Sequence, residues 1–255
     1  HQGKKLAPSA DLVGNCKQHN KSHRRDSDDY GKKVTASLGN AGVNTDYLVV
    51  DPDTQTGLAL MPIEPGTGRY VCYVAMGGND RLCPEDVKKA MDAQAFDMVL
   101  MQLEMPLETI YGTIELAKEH HIPVFLDAGP AIDISLERLK GLFIISPNEA
   151  ETFGLTGICP DTDANAFKAA RLLYEKTAPT YVILKLGDRG ILLYDGKESL
   201  RVPCFKVDAV DSTAAGDTFG AALAISLCKG LSMMDAIRYA QAAAGICVSR
   251  TGAQS

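Results

Sequence analysis

The feature that most constrains this chain is a stretch of ten residues at 211–220, DSTAAGDTFG. An extended run at 201–210 leads into it, and a helix rich in small residues is predicted over 219–228. Small residues at a strand-to-helix junction let backbone N–H groups converge, and a helix start binds anions through those groups and its dipole. Asp217 stands inside this anion site, where its charge would repel phosphate. It therefore either caps the helix or takes a proton from a hydroxyl that attacks a bound phosphorus.

Composition and charge exclude several classes of protein. The 255 residues are 45% hydrophobic and 23% charged, as in ordinary globular proteins, and a net charge of −6 gives no support for nucleic-acid binding. No apolar run reaches the ~18–20 residues that span a bilayer, and the first residues lack a secretory signal pattern. The seven cysteines form no C-x-x-C pair, so we expect reduced thiols and no zinc site. These features predict a cytoplasmic protein without a membrane or nucleic-acid partner.

The central part of the chain alternates apolar runs with helical patterns. Helices are predicted between successive runs, and the strands are predicted at 97–103, 123–127, 142–146 and 181–186. A further strand is predicted at 47–50. This alternation predicts an α/β fold with a mostly parallel sheet and helices on both faces. Ligands of such sheets bind at the carboxyl ends of the strands.

The first third of the chain carries two other features. Two β-rich runs at 56–63 and 68–75 flank the sequence EPGT at 64–67, which predicts a hairpin. This hairpin either forms the edge of the main sheet or a separate layer. Residues 1–30 are polar and basic without a clear period, so we expect a divergent or disordered segment before a single domain at 31–255.

The decad resembles the C-terminal signature of ribokinase-like (PfkB-type) carbohydrate kinases, Asp-Thr-x-(Gly/Ala)-Ala-Gly-Asp-x-Phe. The resemblance implies a three-layer fold, with the 56–76 hairpin as part of a β lid over the sugar. It also implies that Asp217 is the catalytic base and contacts the substrate. The backbone of Ala214, Ala215 and Gly216 would form the anion hole.

The resemblance extends to the substrate and magnesium sites. Glu104 ends a sequence similar to the family's Leu-Gln-x-Glu and is expected to accept hydrogen bonds from the sugar. Asn148 and Glu151 match the family's Asn-x-x-Glu element, which places Asn148 near the nucleotide phosphates and Glu151 on water around Mg²⁺. At this spacing the same two residues also predict a simple helix capping box.

Two further segments are similar to nucleotide-binding parts of the family. Lys185, Gly187 and Gly190 lie in KLGDRG, which resembles a Thr-Leu-Gly-x-x-Gly loop for ATP, with lysine in place of the usual Thr or Ser. The same letters also predict a hairpin turn. Gln241 begins a run of small residues where family members contact the nucleotide, although plain helix packing would explain that run as well.

The last residues complete the resemblance. The sequence SRTGAQ is similar to the family's Thr-Arg-x-Gly-Ala-Gln, a loop that encircles a monovalent cation. By resemblance the cation site would involve Asp211 and Thr213, and the backbone carbonyl oxygens of Cys247 and Gly252 would be further ligands. A hard cation such as K⁺ prefers oxygen ligands. The alternative is that Asp211 only orders the loop.

Together these motifs predict ATP-dependent phosphorylation of a sugar primary hydroxyl, ribose to ribose 5-phosphate, with Mg²⁺ and K⁺ as cofactors. A kinase for another sugar or a nucleoside is the first alternative. The second is a truncated, catalytically impaired nucleotide-binding paralogue, because the family's N-terminal substrate motif is not intact around Gly3. A complete lid would also imply a homodimer. A dinucleotide-binding dehydrogenase is excluded because no G-x-G-x-x-G follows a predicted N-terminal strand.

Overall fold

The computed structural model describes residues 28–51, 53–60 and 73–252. The predicted hairpin turn at 64–67 and most of the N-terminal segment lie outside the described residues. The helices and strands of the described part follow in chain order: α1 (Asp29–Asn40), β1 (Leu58–Leu60), β2 (Tyr73–Ala75), α2 (Pro84–Ala93), β3 (Val99–Met101), α3 (Leu107–Glu119), β4 (Val124–Asp127), β5 (Ile144–Ser146), α4 (Glu149–Thr156), α5 (Asp163–Thr177), β6 (Tyr181–Lys185), β7 (Ile191–Tyr194), β8 (Ser199–Val202), α6 (Ala215–Cys228) and α7 (Met233–Val248).

Six strands form the central sheet in the order β3-β4-β5-β6-β7-β8. The first four are parallel, and β7 and β8 are antiparallel to their neighbours. The parallel strands are almost entirely buried, which is why they appear in the sequence as continuous apolar runs rather than alternating ones. The sheet is therefore mostly parallel, as predicted, and the carboxyl ends of β3 to β6 share one edge.

Two hydrophobic cores lie on opposite faces of this sheet. Adjacent residues of one strand point to opposite sides, so Leu126 belongs to one core and Phe125 to the other. The first core includes Ile114 of α3 and residues of α2 and α5. The second includes Leu223 of α6 and residues of α7. The helices on both faces complete the predicted three-layer α/β fold.

The lid strands β1 and β2 pair with each other in a separate antiparallel sheet, with Leu58 opposite Ala75. Among the described residues neither strand pairs with the six-stranded sheet. The structure therefore favours a separate layer over the alternative of an edge hairpin. Both strands are exposed along their length.

The structure corrects three predicted boundaries. The predicted strand at 47–50 is absent, because no described strand pairs with this segment, and Leu48 N–H instead donates to the Thr45 carbonyl in a turn (3.0 Å). The extended run at 201–210 is a strand only as far as Val202. Helix α6 begins at Ala215, four residues before the prediction, so Asp217 lies in its first turn. None of the described helices has the length and apolar character to cross a membrane.

Candidate active site

The carboxyl ends of β3 and β4 and the start of α6 bring acidic and amide side chains together. Gln102 follows β3, and its Nε2 donates a hydrogen bond to Oδ1 of Asp217. Asp217 is exposed rather than turned into the core. Glu104, two residues further along, is half-buried at the same strand end. Gln102 was not among the predicted site residues, although it stands at a strand end as Glu104 does.

The predicted anion loop has the backbone that such a site requires. Ala214 adopts a left-handed conformation (φ 62°), which turns the chain into α6. Thr218 N–H donates to the Ala214 carbonyl (2.9 Å) and Ala215 N–H to the Ser212 carbonyl (3.3 Å). The amides of Gly216 and Asp217 lie in the first turn, where an α-helix has no carbonyl for them. They are free to donate to an anion, and the helix dipole adds to the attraction.

A buried ion pair lies under this loop. Nζ of Lys185, at the end of β6, contacts Oδ1 of Asp127, at the end of β4. A Cβ placed on Gly216 would be 3.5 Å from that Nζ and 3.7 Å from Asp127 Oδ2. Burial raises the pKa of Asp127, and the Lys185 ammonium opposes this effect. Lys185 was a predicted site residue; Asp127 was not, yet it too is the polar residue that ends a buried apolar strand.

Asn148 and Glu151 form the capping box of α4. Glu151 N–H donates to Asn148 Oδ1 (2.9 Å), and Asn148 donates from N to Glu151 Oε2 (2.6 Å) and from Nδ2 to Oε1 (2.7 Å). The capping alternative is therefore confirmed, and it does not exclude a role near magnesium. Burial raises the pKa of Glu151, and Lys185 opposes it, while Asp127 and Asp217 act in the same direction as burial. The four charged groups thus share one electrostatic environment.

Gly129 makes room for the Glu151 carboxylate. A Cβ at position 129 would overlap Oε1 of Glu151 and lie 3.1 Å from its Cδ. Gly129 is fixed in place because its carbonyl accepts a hydrogen bond from Leu103 N–H (2.7 Å). The glycine therefore leaves the space that the predicted magnesium-organising carboxylate occupies, and no motif in the sequence indicated it.

We expect Gly129→Ala to displace Glu151 and weaken the dependence on Mg²⁺. Residues that orient the ligand shell of a metal typically contribute 10–100-fold to its affinity. The Mg²⁺ concentration for half-maximal phosphotransfer should rise about tenfold, as measured by titrating Mg²⁺ at saturating nucleotide. Gly39→Ala is the matched control, since a Cβ there meets nothing within 4 Å. An unchanged Mg²⁺ profile in Gly129→Ala would contradict the assignment of Glu151.

The predicted ATP loop is a tight turn between β6 and β7. Leu186 N–H donates to the Gly190 carbonyl (2.9 Å), and residues Gly187–Arg189 form one turn of 3₁₀ helix. Arg189 ties the turn to α4 through Glu149 (2.8 Å). The alternative that KLGDRG forms a hairpin turn is thus confirmed, while nucleotide contact by Gly187 and Gly190 stays a prediction. The turn lies beside α4, since Gly187 faces the Glu149 carboxylate.

The four residues predicted for a monovalent cation come together at the end of α7. Asp211 Oδ1 accepts from Thr213 N–H and Oδ2 from Gly252 N–H, both at 2.9 Å. Cys247 Sγ lies 3.5 Å from the Thr213 carbonyl oxygen. Hydrogen bonds from Thr213 and Gly252 hold the pKa of Asp211 below its usual range. Because that pKa is lowered, the two bonds stabilise the folded loop above it, and this contribution is lost as the pH falls through the lowered value.

Gln241 is placed differently from the prediction. Its side chain is 7% exposed, and its Nε2 donates to the Val202 carbonyl (3.3 Å). The residue therefore joins α7 to the end of β8, which is the packing alternative. Direct contact of this side chain with a nucleotide is not supported by its position. Among the described residues, no cluster of three or more His, Cys, Asp or Glu side chains is arranged to hold a metal ion directly.

Comparisons with known proteins agree with this geometry. Residues 27–255 match the pfkB family carbohydrate kinase description. The chain is 35% identical over 231 residues to a ribokinase of Haemophilus influenzae, covering 90% of this chain and 74% of that protein. It is 32% identical over 232 residues to a deoxyribokinase of Salmonella typhimurium, covering 89% and 74%. The structure of Arabidopsis thaliana ribokinase complexed with ribose and ATP aligns with a TM-score of 0.80 and 30% identity, covering 89% of this chain and 75% of that one. The chain therefore belongs to the pfkB family of carbohydrate kinases and is a sugar kinase with the ribokinase-like fold.

Proposed function

We propose that this protein transfers the γ-phosphoryl group of ATP to the primary hydroxyl of ribose. The observation that carries the proposal is the exposed Asp217 carboxylate in the first turn of α6, beside amides that have no partner within the helix. A base and an anion site a few ångströms apart are what phosphoryl transfer to an alcohol requires. The relatives named ribokinase support ATP and ribose as the substrates.

Each group of the site has a defined task in this reaction. Asp217 accepts the proton of the attacking hydroxyl, and Gln102 fixes the orientation of its carboxylate through the Oδ1 hydrogen bond. The amides of Gly216 and Asp217 stabilise the charge that develops on the transferred group, since Ala215 N–H already donates to the Ser212 carbonyl. Lys185, paired with Asp127, lies below the same loop, with its Nζ 3.5 Å from where a Cβ at Gly216 would stand. Glu104, at the end of β3, is proposed to accept hydrogen bonds from the sugar.

The residues at the start of α4 fit a role near Mg²⁺. Mg²⁺ prefers oxygen ligands, keeps several of its waters and takes few protein ligands. The Glu151 carboxylate is oriented by two hydrogen bonds from Asn148, which leave lone pairs on both oxygens for water. Mg²⁺ would neutralise charge on the nucleotide phosphates when bound. Glu151 would hold its water shell, and Asn148 would lie near the phosphates.

The choice of sugar is tested with a substrate panel. Purified protein with ATP, Mg²⁺ and K⁺ is assayed for ADP release with ribose, deoxyribose and adenosine. We expect the highest kcat/KM with ribose. A preference for deoxyribose or a nucleoside would replace the substrate while keeping the kinase. Heat of ATP binding without turnover of any acceptor would instead support the impaired nucleotide-binding paralogue.

We also propose that the Asp211 loop binds K⁺ and that its order depends on the carboxylate. Asp211→Asn keeps one acceptor oxygen, so it can retain the hydrogen bond from Thr213 or that from Gly252 but not both. We expect the stimulation of kcat by K⁺ over choline to fall by about tenfold or more, because one hydrogen bond to a charged group typically contributes about 1.5–3 kcal/mol.

The matched control for that variant is Asp195→Asn. Asp195 Oδ1 accepts from two backbone N–H groups, those of Lys197 (2.9 Å) and Glu198 (2.7 Å), in a surface turn remote from the decad. This control should leave the response to K⁺ unchanged. Equal K⁺ stimulation in wild type and Asp211→Asn would remove the cation assignment and leave Asp211 as a residue that only orders the loop.

The lid supports a proposal about assembly. Leu60 and Tyr73 are opposite each other on β1 and β2 and are 69% and 61% exposed. Apolar side chains on a two-stranded sheet are stabilised by burial against another layer. We propose that a second copy of the chain covers the lid in a homodimer. Light scattering of wild type and of the double variant Leu60→Ser/Tyr73→Ser tests this, since the variant should be monomeric.

A further inference from the structure

The ion pair between Lys185 and Asp127 calls for a functional explanation. Both side chains are largely buried, with 14% of Lys185 and 8% of Asp127 exposed. Removing two charges from water is costly, and replacing a buried pair by apolar residues is often neutral or stabilising. The pair joins β6 to β4 across β5, although those strands are already held by the parallel sheet between them. Stability alone is therefore a weak reason for its presence.

The position of the pair connects it to the anion loop. Gly216 lies directly over it, and the absence of a side chain at 216 leaves the ammonium 3.5 Å from where a Cβ would stand. The Lys185 ammonium therefore lies close to the first turn of α6, which carries the free amides. Amides of a helix start carry only partial charge, whereas an ammonium brings a full charge and three donors. The ammonium is therefore placed to contact the terminal phosphates of a nucleotide held by the loop.

Two other carboxylates belong to the same cluster as the pair of Lys185 and Asp127. Asp217 and Glu151 belong to the same electrostatic cluster as Asp127. A lysine paired with Asp217 would occupy the oxygens that the proposed base needs for the hydroxyl proton. The structure shows Lys185 paired with Asp127 instead. Because Lys185 pairs with Asp127 and not with Asp217, the Asp217 carboxylate stays available to act as the proposed base.

We propose that Asp127 is a positioning residue that acts through Lys185, holding its ammonium at the floor of the anion loop for the terminal phosphates of ATP and away from Asp217. The inference rests on the proposed function, in which this loop binds a triphosphate. Asp127 itself touches no phosphate. Its effect therefore depends on the presence of Lys185 and on the presence of terminal phosphates in the ligand.

Calorimetric titration of Mg²⁺–ATP and of AMP into four proteins tests this. Lys185→Met should weaken ATP binding by roughly tenfold to thirtyfold, and Asp127→Asn by about tenfold, because the ammonium loses its anchor. The affinity for AMP, which lacks the terminal phosphates, should change by less than about twofold in each variant. The double variant should bind ATP no more weakly than Lys185→Met alone, because one residue acts through the other.

Two outcomes would overturn the proposal. Tighter ATP binding by Asp127→Asn would mean that the carboxylate only repels phosphate, and losses that multiply in the double variant would mean that Asp127 acts without Lys185. Asp127→Glu restores the anion and should recover part of the affinity, which a pure packing role would not. Glu137→Gln is the matched control, since Glu137 forms an exposed ion pair with Lys176 at 3.0 Å.

Thermal unfolding separates loss of affinity from loss of fold in each variant. The double variant removes both buried charges and so leaves neither unpaired, which keeps it folded even where a single variant is destabilised. All readouts are nucleotide affinities. A chain that binds ATP but phosphorylates no sugar would therefore contradict the proposed function and still test the role of Asp127.

Discussion

Replacing Asp217 with asparagine is expected to lower kcat by about 10²–10⁴-fold, the usual contribution of a positioned general base. Asparagine keeps the shape of the side chain and can keep a hydrogen bond to Gln102, but it cannot take the proton of the attacking hydroxyl. The amides of the first turn are unchanged, so ATP affinity should stay within about threefold. Steady-state ADP release with ribose, together with calorimetric ATP titration, measures the two effects separately.

Asp235 provides the matched control for this prediction. It also lies in the first turn of a helix, α7, where Ser232 Oγ donates to its carboxylate (2.7 Å) and its own N–H donates to Ser232 Oγ (3.2 Å). Asp235→Asn should alter stability slightly and leave kcat unchanged. If Asp217 served only as a capping residue, the two variants would behave alike. Equal turnover by wild type and Asp217→Asn would therefore discard the assignment of the base.

The parts of the fold that the sequence predicted are those set by local pattern. Helices such as α3 and α5 lie between the predicted strands, and the four parallel strands are recognisable because burial on both faces makes them uniformly apolar. The failed strand at 47–50 shows the limit of this reasoning. A strand depends on a partner, and an extended apolar run does not contain that information.

The site was predictable where one segment supplies all of its parts. The predicted anion loop, with its αL residue Ala214 and the proposed base Asp217, is contained in ten consecutive residues and so was visible as a motif. The pair of Lys185 and Asp127 joins positions 58 apart, and Gln102 reaches Asp217 across 115 positions. Contacts of that kind are set by the order of strands in the sheet, which no single motif encodes.

Gln102 and Asp127 nevertheless obey a rule that could have found them. Each is the first polar residue at the carboxyl end of a buried parallel strand, the position at which ligands of α/β sheets bind. The predicted site nevertheless contained Glu104 and neither Gln102 nor Asp127. Gly129 could not be found in this way, because the need for glycine arises from a side chain, Glu151, on another element.

The second large effect is expected in stability, from Gly190→Ala. Gly190 has φ +80° and ψ −140°, a conformation that alanine adopts only with strain. A Cβ there would clash with the Val202 carbonyl oxygen, and would lie 2.8 Å from Cys204 N and 3.0 Å from the Pro203 Cα. These are backbone atoms at the end of β8, so none of them can rotate away as a flexible side chain would. We expect the free energy of unfolding to fall by about 3–4 kcal/mol, the sum of strain and displaced backbone.

Gly187→Ala is the control that separates conformation from crowding, and urea denaturation monitored by circular dichroism measures both variants. Gly187 also has a positive φ of 56°, but the nearest atom to a Cβ there is the Glu149 Oε2 at 3.6 Å. The free energy of unfolding of Gly187→Ala should therefore fall only by the cost of a left-handed backbone conformation, about 1–2 kcal/mol. Equal losses in the free energy of unfolding of the two variants would mean that the end of β8 shifts to accommodate the new methyl group at position 190. A larger loss of stability in Gly190→Ala would mean that the end of β8 cannot shift. Gln241 donates to the same Val202 carbonyl, so the predicted ATP loop, β8 and Gln241 would then form one rigid unit.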